Sequence, residues 1–388
     1  MRQGKFHRKL ARRVTRWTLA VHVPFAFAAA TLADWLRVPA PVPAGIALAA
    51  LAAWLVRPLV LDRLPDHPRP AWQVHGFEIP YFVHWSAVHV AVAGWLLAWV
   101  AWLSAPLHGG NVSLGDWSVA SYGVGIAIAL WGTYVRRFWT RLRTVNVRVS
   151  RLPPQLDGYR IAHLSDLHIG SFTSPRQARR WVRRTNQLRC DLVAITGDVV
   201  SSGSEFHPQI AKALGLLDAR DGVVFIPGNH DYFGKGQLFQ HLEAEGIRVL
   251  RNQQFAVTRQ GGARLIIAGV EDPQTGLEDV AFAVHGRGPG EPVVLLAHDP
   301  GLFPQAVRAK VDVVLSGHTH GGQIAVPFAA RWLSVTSLFA RYRLGTYRQN
   351  DSTLVVSAGL GTTGPPLRIG AAPEILIVRL RSASGDST

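Results

Sequence analysis

Cysteine is almost missing: Cys190 is the only one in 388 residues. That excludes an intramolecular disulfide and any zinc or iron–sulfur site built on thiolates. Charge is scarce as well, at 17% of residues against 48% hydrophobic, so the chain is neither disordered nor a basic nucleic-acid arm. Acid is the scarcer sign, with 25 Asp and Glu against 41 Lys and Arg and a formal charge of +16. The shortage is local: residues 1–150 carry 16 basic and 5 acidic side chains, residues 151–388 carry 25 and 20. The excess basicity therefore belongs to the apolar half, as in membrane proteins. Internal repeats and low-complexity tracts are lacking, and at about 150 residues per domain the length allows two or three domains.

The first half also lacks polar helix faces. A bilayer core of ~30 Å needs roughly 20 apolar residues as helix, and four stretches qualify: 17–36, 43–61, 81–103 and 117–135. Pro- or Gly-rich breaks separate them, and Trp17, Trp35, Trp54, Trp85, Trp102, Trp117 and Trp139 cluster near their ends, where indoles favour the interface. Arg and Lys crowd the N-terminal segment (Arg2 to Arg16), the second loop (Arg57, Arg63, Arg69) and the stretch after the fourth span (Arg136 to Arg148). The first loop has Arg37 alone and the third has none. Four spans with both termini inside satisfy every loop and put residues 136–388 in the cytoplasm, at the inner membrane. A cleaved signal peptide, with Arg12–Arg13 as a twin-arginine element, is the rival reading, but it would export the basic stretch at 134–148. His22, His84 and His89 lie in the spans and read as helix–helix hydrogen-bonding residues. The domain division is a membrane domain at 1–138, a basic linker at 139–156, a catalytic domain at 157–381 and a disordered tail at 382–388.

From residue 157 the pattern changes to short apolar β-type runs that stop at polar, Gly-containing turns. Runs at 160–164, 192–196, 222–226, 293–297 and 311–316 end in Ser-Asp-Leu-His, Gly-Asp, Pro-Gly-Asn-His-Asp, His-Asp and Gly-His-Thr-His. Helical stretches at 174–188 and 208–217 alternate with the first of them. The polar residues thus follow strand C-termini, where ligand sites collect in α/β sheets. A single Asp or His there is an ordinary cap. Asp166, His168, Asp198, Asn229, His230, His298, His318 and His320 together are a set, from what read as five consecutive strand ends. Carboxylate and imidazole without thiolate suit Mn, Fe, Zn or Mg, and two such ions can clamp a phosphoryl group.

The order and wording of these motifs resemble the calcineurin-like metallophosphoesterase family, over about residues 157–381. Its D-x-H, G-D-x-x-D, G-N-H-D/E, single His and G-H-x-H stand here as Asp166-Leu-His168, Gly197-Asp198, Gly228-Asn229-His230-Asp231, His298 and Gly317-His318-Thr319-His320. The resemblance implies a two-sheet αββα sandwich and two divalent ions, manganese first. It implies one ion on Asp166, His168, Asp198 and His320 and a second on Asp198, Asn229, His298 and His318. A metal-bridging hydroxide would attack, His230 would act as acid, and Asp231 would orient its ring. The second Asp of G-D-x-x-D is missing, since Ser201 stands there, and this puts the outer-shell geometry in question.

Within that family the block Gly317–Gln323, the glycine-rich Gly359–Arg368 ending and Pro373-Glu374 are similar to a membrane-associated bacterial branch that includes UDP-2,3-diacylglucosamine pyrophosphatases. The expected partners are a phosphorylated lipid or nucleotide-lipid substrate and membrane lipids, with no nucleic acid. The alternatives are a tethered phosphodiesterase for soluble nucleotides and a non-catalytic membrane sensor. Arg176, Arg179, Arg180, Arg183 and Arg184 recur at helical spacing without an acid, a face for anionic headgroups or substrate. The stretch 326–347 reads equally as a buried helix or a lipid-binding flap. Arg368 reads as a surface arginine or a phosphate contact, Cys190 as packing, and His163 as structural.

Overall fold

The computed structural model describes residues 21–39, 42, 44–46, 68–107, 110–234, 236–325 and 340–382. They divide into two units, an apolar helical one ending at Tyr134 and a second comprising residues 66–69 and 135–388.

In the helical unit, α1 includes residues 21–35. A second helical run starts at Ala71, passes a π-helical turn at Val74–Glu78 and continues as α2, Ile79–Ser104. The third helix, α3, is Leu114–Tyr134. Ala71–Leu107 and Leu114–Phe138 are long and apolar enough to cross a membrane, and only 17% and 28% of their most apolar windows is buried within the protein. A core helix of a soluble domain would be mostly buried; these expose Leu97, Val100, Leu103, Val124 and Trp131 instead. The second expected span, 43–61, lies almost wholly outside the described residues, as do residues 17–20 of the first. The span histidines bond as helix-to-helix groups: His84 Nδ1 meets Tyr122 Oη at 2.9 Å and its Nε2 meets His22 Nε2 at 3.3 Å, while His89 Nδ1 meets the Trp85 carbonyl.

The second unit is built from two six-stranded sheets. The first contains β1 (Arg141–Val149), β2 (Arg160–Leu164), β3 (Leu192–Thr196), β4 (Val223–Ile226), β5 (Arg248–Val249) and β12 (Glu374–Ser382), in the order β1-β12-β2-β3-β4-β5. The second contains β6 (Gln253–Thr258), β7 (Arg264–Gly269), β8 (Val293–Leu296), β9 (Val313–Ser316), β10 (Gly345–Gln349) and β11 (Ser352–Val356), in the order β10-β11-β9-β8-β7-β6. Both are mixed: β2, β3 and β4 are parallel, whereas β12 is antiparallel to β2.

Because strand side chains alternate, each sheet has two faces to cover. The inner faces meet in one core, with Ile161, Leu192, Val224 and Ile226 against Leu265, Ile267, Val294 and Leu315. Outside the first sheet pack α4 (Pro175–Asn186), α5 (His207–Leu214) and α6 (Gln237–Ala244), through Ala178, Trp181, Ile210, Leu214, Leu238 and Leu242. Outside the second pack α7 (Val280–Ala283) and α8 (Phe303–Arg308), through Val280, Phe303 and Ala306. The layers are helix, sheet, sheet, helix, as the αββα expectation requires.

Two expectations need correction. Residues 141–149, read as part of a basic linker, are strand β1, paired in parallel with β12 along its whole length. Its sequence Arg-Leu-Arg-Thr-Val-Asn-Val-Arg-Val buries Val147 and Val149, but Arg141 and Arg143 stand on that same face of the edge strand, Arg143 paired with Glu374 at 2.9 Å, so charge interrupted the period-two apolar pattern. The five site-bearing strand ends are not consecutive either. β5, β6 and β7 intervene, and β2, β3 and β4 lie in one sheet, β8 and β9 in the other.

Candidate metal centre

The eight residues come together. Asp166 and His168 follow β2, Asp198 follows β3, Asn229 and His230 follow β4, His298 follows β8, and His318 and His320 follow β9. Parallel register brings the ends of β2, β3 and β4 side by side, Leu164 beside Ile195 and Thr196 beside Ile226, and sets Leu296 of β8 beside Leu315 of β9. Backbone bonds then stitch the loops: Asp166 N–H donates to Gly197, His168 N–H to Asp198, and Gly317 N–H to His298.

The backbone is strained where the side chains converge. Eleven described non-glycine residues have φ in the left-handed region, and five of them are Asp166 (52°), His168 (43°), Asp198 (53°), His318 (67°) and His320 (52°). Each costs about 1 kcal/mol or more, so together they approach the net stability of a small domain. Flanking strands must hold such residues in place, and this density marks a functional site. The adjoining glycines are needed for closeness: a Cβ on Gly228 would run into Asp198 Oδ1, and one on Gly317 into the Ser165 hydroxyl and Asp166 Oδ2.

Two donor clusters result. Asp166, His168 and His320 form one and Asp198, His298 and His318 the other, and a third group, His168, Asp198 and His230, overlaps both, with the ligand atoms of each within 4.8 Å. His168 Nε2 lies 3.0 Å from His320 Nε2, which is 3.4 Å from Asp166 Oδ1. His298 Nε2 is 3.1 Å from His318 Nδ1. Asp198 joins them, its Oδ2 being 3.6 Å from His168 Nε2 and 3.3 Å from His298 Nε2. Asn229 Oδ1 is buried without a hydrogen-bond partner, as an oxygen reserved for a cation would be. His298 Nδ1 meets the Thr196 carbonyl at 2.7 Å, which puts the proton there and turns Nε2 inward.

Electrostatics favour a cation. Burial pulls His168 down to about 3, and burial, with His168 and Arg368 nearby, holds His320 well below the usual imidazole range, so both imidazoles keep a free lone pair at neutral pH. His298 is the exception. Burial opposes its charge, yet the carboxylates of Asp198 and Asp166 raise its pKa well above the usual imidazole range. Asp198, despite its burial, is held well below the usual carboxylate range by His298. A divalent ion would displace the imidazolium proton from that pair. The oxygen and nitrogen donor set thus fits hard to borderline divalent ions.

His230 is half-buried, with Nδ1 2.7 Å from the Ser201 carbonyl and its own N–H donating to Asp198 Oδ1 at 2.9 Å. Asp231 does not orient that ring. Its side chain turns inward and is fully buried, with Oδ1 accepting from Val199 and Val200 N–H and Oδ2 from Asp198 and Gly228 N–H. Burial and the Asp198 carboxylate push its pKa up to about 7, against the pull of those donors. Asp231 therefore ties the turn after β3 to the turn after β4, and Ser201, at the position of the missing Asp, supplies the carbonyl that holds His230.

Arg368 is neither on the surface nor open to a phosphate. It is fully buried, with Nε and Nη2 donating to the Gly361 carbonyl at 2.9 and 2.6 Å and Nη1 reaching the His320 carbonyl at 3.5 Å. Burial lowers its pKa to about 10, with Asp166 acting the other way, so it stays a cation behind the donors. Gln323 holds the same loop through Thr363 and Pro365. His163 bonds Thr196 Oγ1 at 2.8 Å and Cys190 is buried, each as expected of packing residues. Sequence reasoning missed Asp272, buried after β7, whose Oδ2 has no partner and whose charge acts on His298. Its only signal was that it too follows an apolar run.

Residues 159–322 match the sequence profile of the calcineurin-like phosphoesterase family. The chain is 30% identical over 243 residues to an uncharacterized metallophosphoesterase, YkuE, of Bacillus subtilis, covering 61% of this chain and 84% of that one. The chain belongs to the calcineurin-like metallophosphoesterases. An uncharacterized Helicobacter pylori metallophosphoesterase of this family is 32% identical over 269 residues, covering 66% of this chain and 70% of its own length. A Bos taurus protein described as a transmembrane protein with metallophosphoesterase domain is 33% identical over 257 residues, 62% of this chain. The chain spans 57% of the length of that bovine relative.

Proposed function

We propose that this metallophosphoesterase is a membrane-embedded, metal-dependent hydrolase of phosphoric esters or pyrophosphates, acting on a lipid-linked substrate. The observation that carries the hydrolase reading is Asp198 Oδ2, facing His168 of one donor cluster and His298 of the other. Asp166, His168, Asp198 and His320 would hold one divalent ion, and Asp198, Asn229, His298 and His318 the second, manganese being the first choice. Bound there, the ions supply Lewis-acid charge to a phosphoryl group and lower the pKa of a water.

The protein's own groups do the rest. With Nδ1–H held by the Ser201 carbonyl, His230 presents Nε2 to the site. When protonated there it donates to the ester oxygen as the phosphorus–oxygen bond breaks, while water oxygen bonds to phosphorus and releases its proton to solvent. Asp231 keeps the two turns in register.

The lipid half of the reading rests on topology. β1 begins at Arg141, seven residues after α3 ends, and Arg141 N–H donates to the Pro373 carbonyl. Glu374 N–H donates to Gly359, and Gly361 N–H to Asp166. The start of β1 is therefore at the metal end of the sandwich, because β1 and β12 run opposite to β2. The bovine relative's description as a transmembrane protein supports the anchor. Four spans, a cytoplasmic catalytic domain and UDP-2,3-diacylglucosamine as first candidate substrate complete the proposal. Removing the acyl chains should lower kcat/KM steeply, since each buried CH₂ holds a lipid in the bilayer by ~0.8 kcal/mol. Equal turnover of acylated and deacylated substrate would leave a tethered phosphodiesterase for soluble nucleotides.

A further inference from the structure

We propose that the outer face of α4 is a docking surface for the anionic headgroups of the bilayer, a step that rests on the membrane reading above. The helix has an inward face of Gln177, Ala178, Trp181, Val182 and Thr185, all buried. Its outward face carries Arg176, Arg179, Arg180 and Arg183 exposed and Arg184 half-buried, at i, i+3, i+4, i+7 and i+8. The helix has no acidic residue, and among the described residues no carboxylate pairs with these five guanidinium groups. Five like charges on one helix repel one another, and a solvated face is normally mixed in sign. An anionic surface removes the repulsion.

Two tethers select the bilayer as that surface. Trp181 Nε1 donates to Thr140 Oγ1 at 3.1 Å, and Thr140 is six residues beyond the end of α3, ~20 Å of chain at full extension. Ser171 Oγ, three residues before the N-cap Ser174, accepts from Arg69 N–H at 3.1 Å, and the Arg69 guanidinium lies over the Phe172 ring. Arg69 is two residues before the helical run that starts at Ala71. The segments that enter and leave the apolar helices both bind this helix or the loop leading into it. That loop begins at Ser165, after β2, and carries Asp166 and His168, so docking would also seat a metal loop at the headgroups. Nucleic acid is the poorer fit, because Trp181 is turned inward and offers no stacking surface.

The test uses the full-length chain in lipid nanodiscs, with Gln187→Cys as the labelling site. Gln187 is exposed, four residues after Arg183 on the same face, and the native Cys190 is buried. Quenching of the fluorophore by headgroup-labelled lipid is read in phosphatidylcholine alone and with phosphatidylglycerol added. Quenching should rise with the anionic lipid and fall with salt. Each of Arg179→Gln, Arg180→Gln and Arg183→Gln should weaken docking about fivefold at low salt. Metal content and turnover of a small soluble phosphodiester should be unchanged in all three. Equal quenching in the two lipids overturns the proposal, as does arginine-dependent capture of an oligonucleotide without a lipid response. A chain that alkaline carbonate strips from the nanodisc refutes the membrane reading itself, and the docking surface with it; an embedded chain indifferent to lipid charge refutes the docking alone.

Discussion

Histidine occurs in both units, and the two sets differ in what surrounds them. In the helical unit His84 is bonded at both ring nitrogens, to Tyr122 and to His22, on regular helix with no carboxylate among those partners. In the sandwich, His168, His298, His318 and His320 turn ring nitrogens toward one another and toward Asp166 and Asp198, and three of the four sit on left-handed backbone. Satisfied histidines join helices. Histidines crowded against carboxylates and held in strain are an arrangement that a bound cation makes favourable. If the contrast is right, removing one carboxylate should empty the second set, whereas removing a helical histidine should cost stability alone.

The largest effect is expected at Asp198. Replacement by Asn keeps the shape but removes the charge shared by both clusters, so metal content and turnover should both fall to background. Elemental analysis returning two metals per chain in Asp198→Asn would refute the shared-carboxylate assignment.

A smaller loss is expected at His230, which is grouped with His168 and Asp198 but has its Nδ1 committed to Ser201. As a proton donor rather than a ligand, His230→Ala should keep both metals and lose about 10²–10⁴-fold in kcat. Metal lost in proportion to activity would instead make it a ligand.

How far these roles could be read from sequence depended on whether they were local. The strand ends were legible because an apolar run stopping at a polar, Gly-containing turn is a local pattern, and β2 and β3 have the bounds that pattern gave. β1 was not, because its register is set by β12, more than 200 residues away, and its arginines looked like a linker. Asp231 was misassigned by adjacency: neighbours in a tight turn diverge, and its carboxylate serves backbone donors of a different loop. The partner of the His230 ring is a main-chain carbonyl, which no residue type announces. Arg368 is buried because its loop folds back over Gly361 and His320, a fact of packing rather than composition.

The smallest effect, and the sharpest test of the contrast, belongs to the helical histidines. His84→Leu removes the 2.9 Å bond to Tyr122 and the 3.3 Å bond to His22 while keeping an apolar body against Phe25. Interhelical bonds between neutral groups in an apolar setting average about 0.6 kcal/mol, so a loss of about 1 kcal/mol is expected, against the several that stripping two metals would cost. Thermal unfolding in detergent should show a shift of a few degrees, with metal content and phosphodiester turnover unchanged. Metal loss in His84→Leu would mean that the helical set binds an ion too, and that backbone strain and nearby carboxylates do not separate the two kinds of histidine. An unchanged metal count with a small fall in melting temperature would confine the metal chemistry to the sandwich.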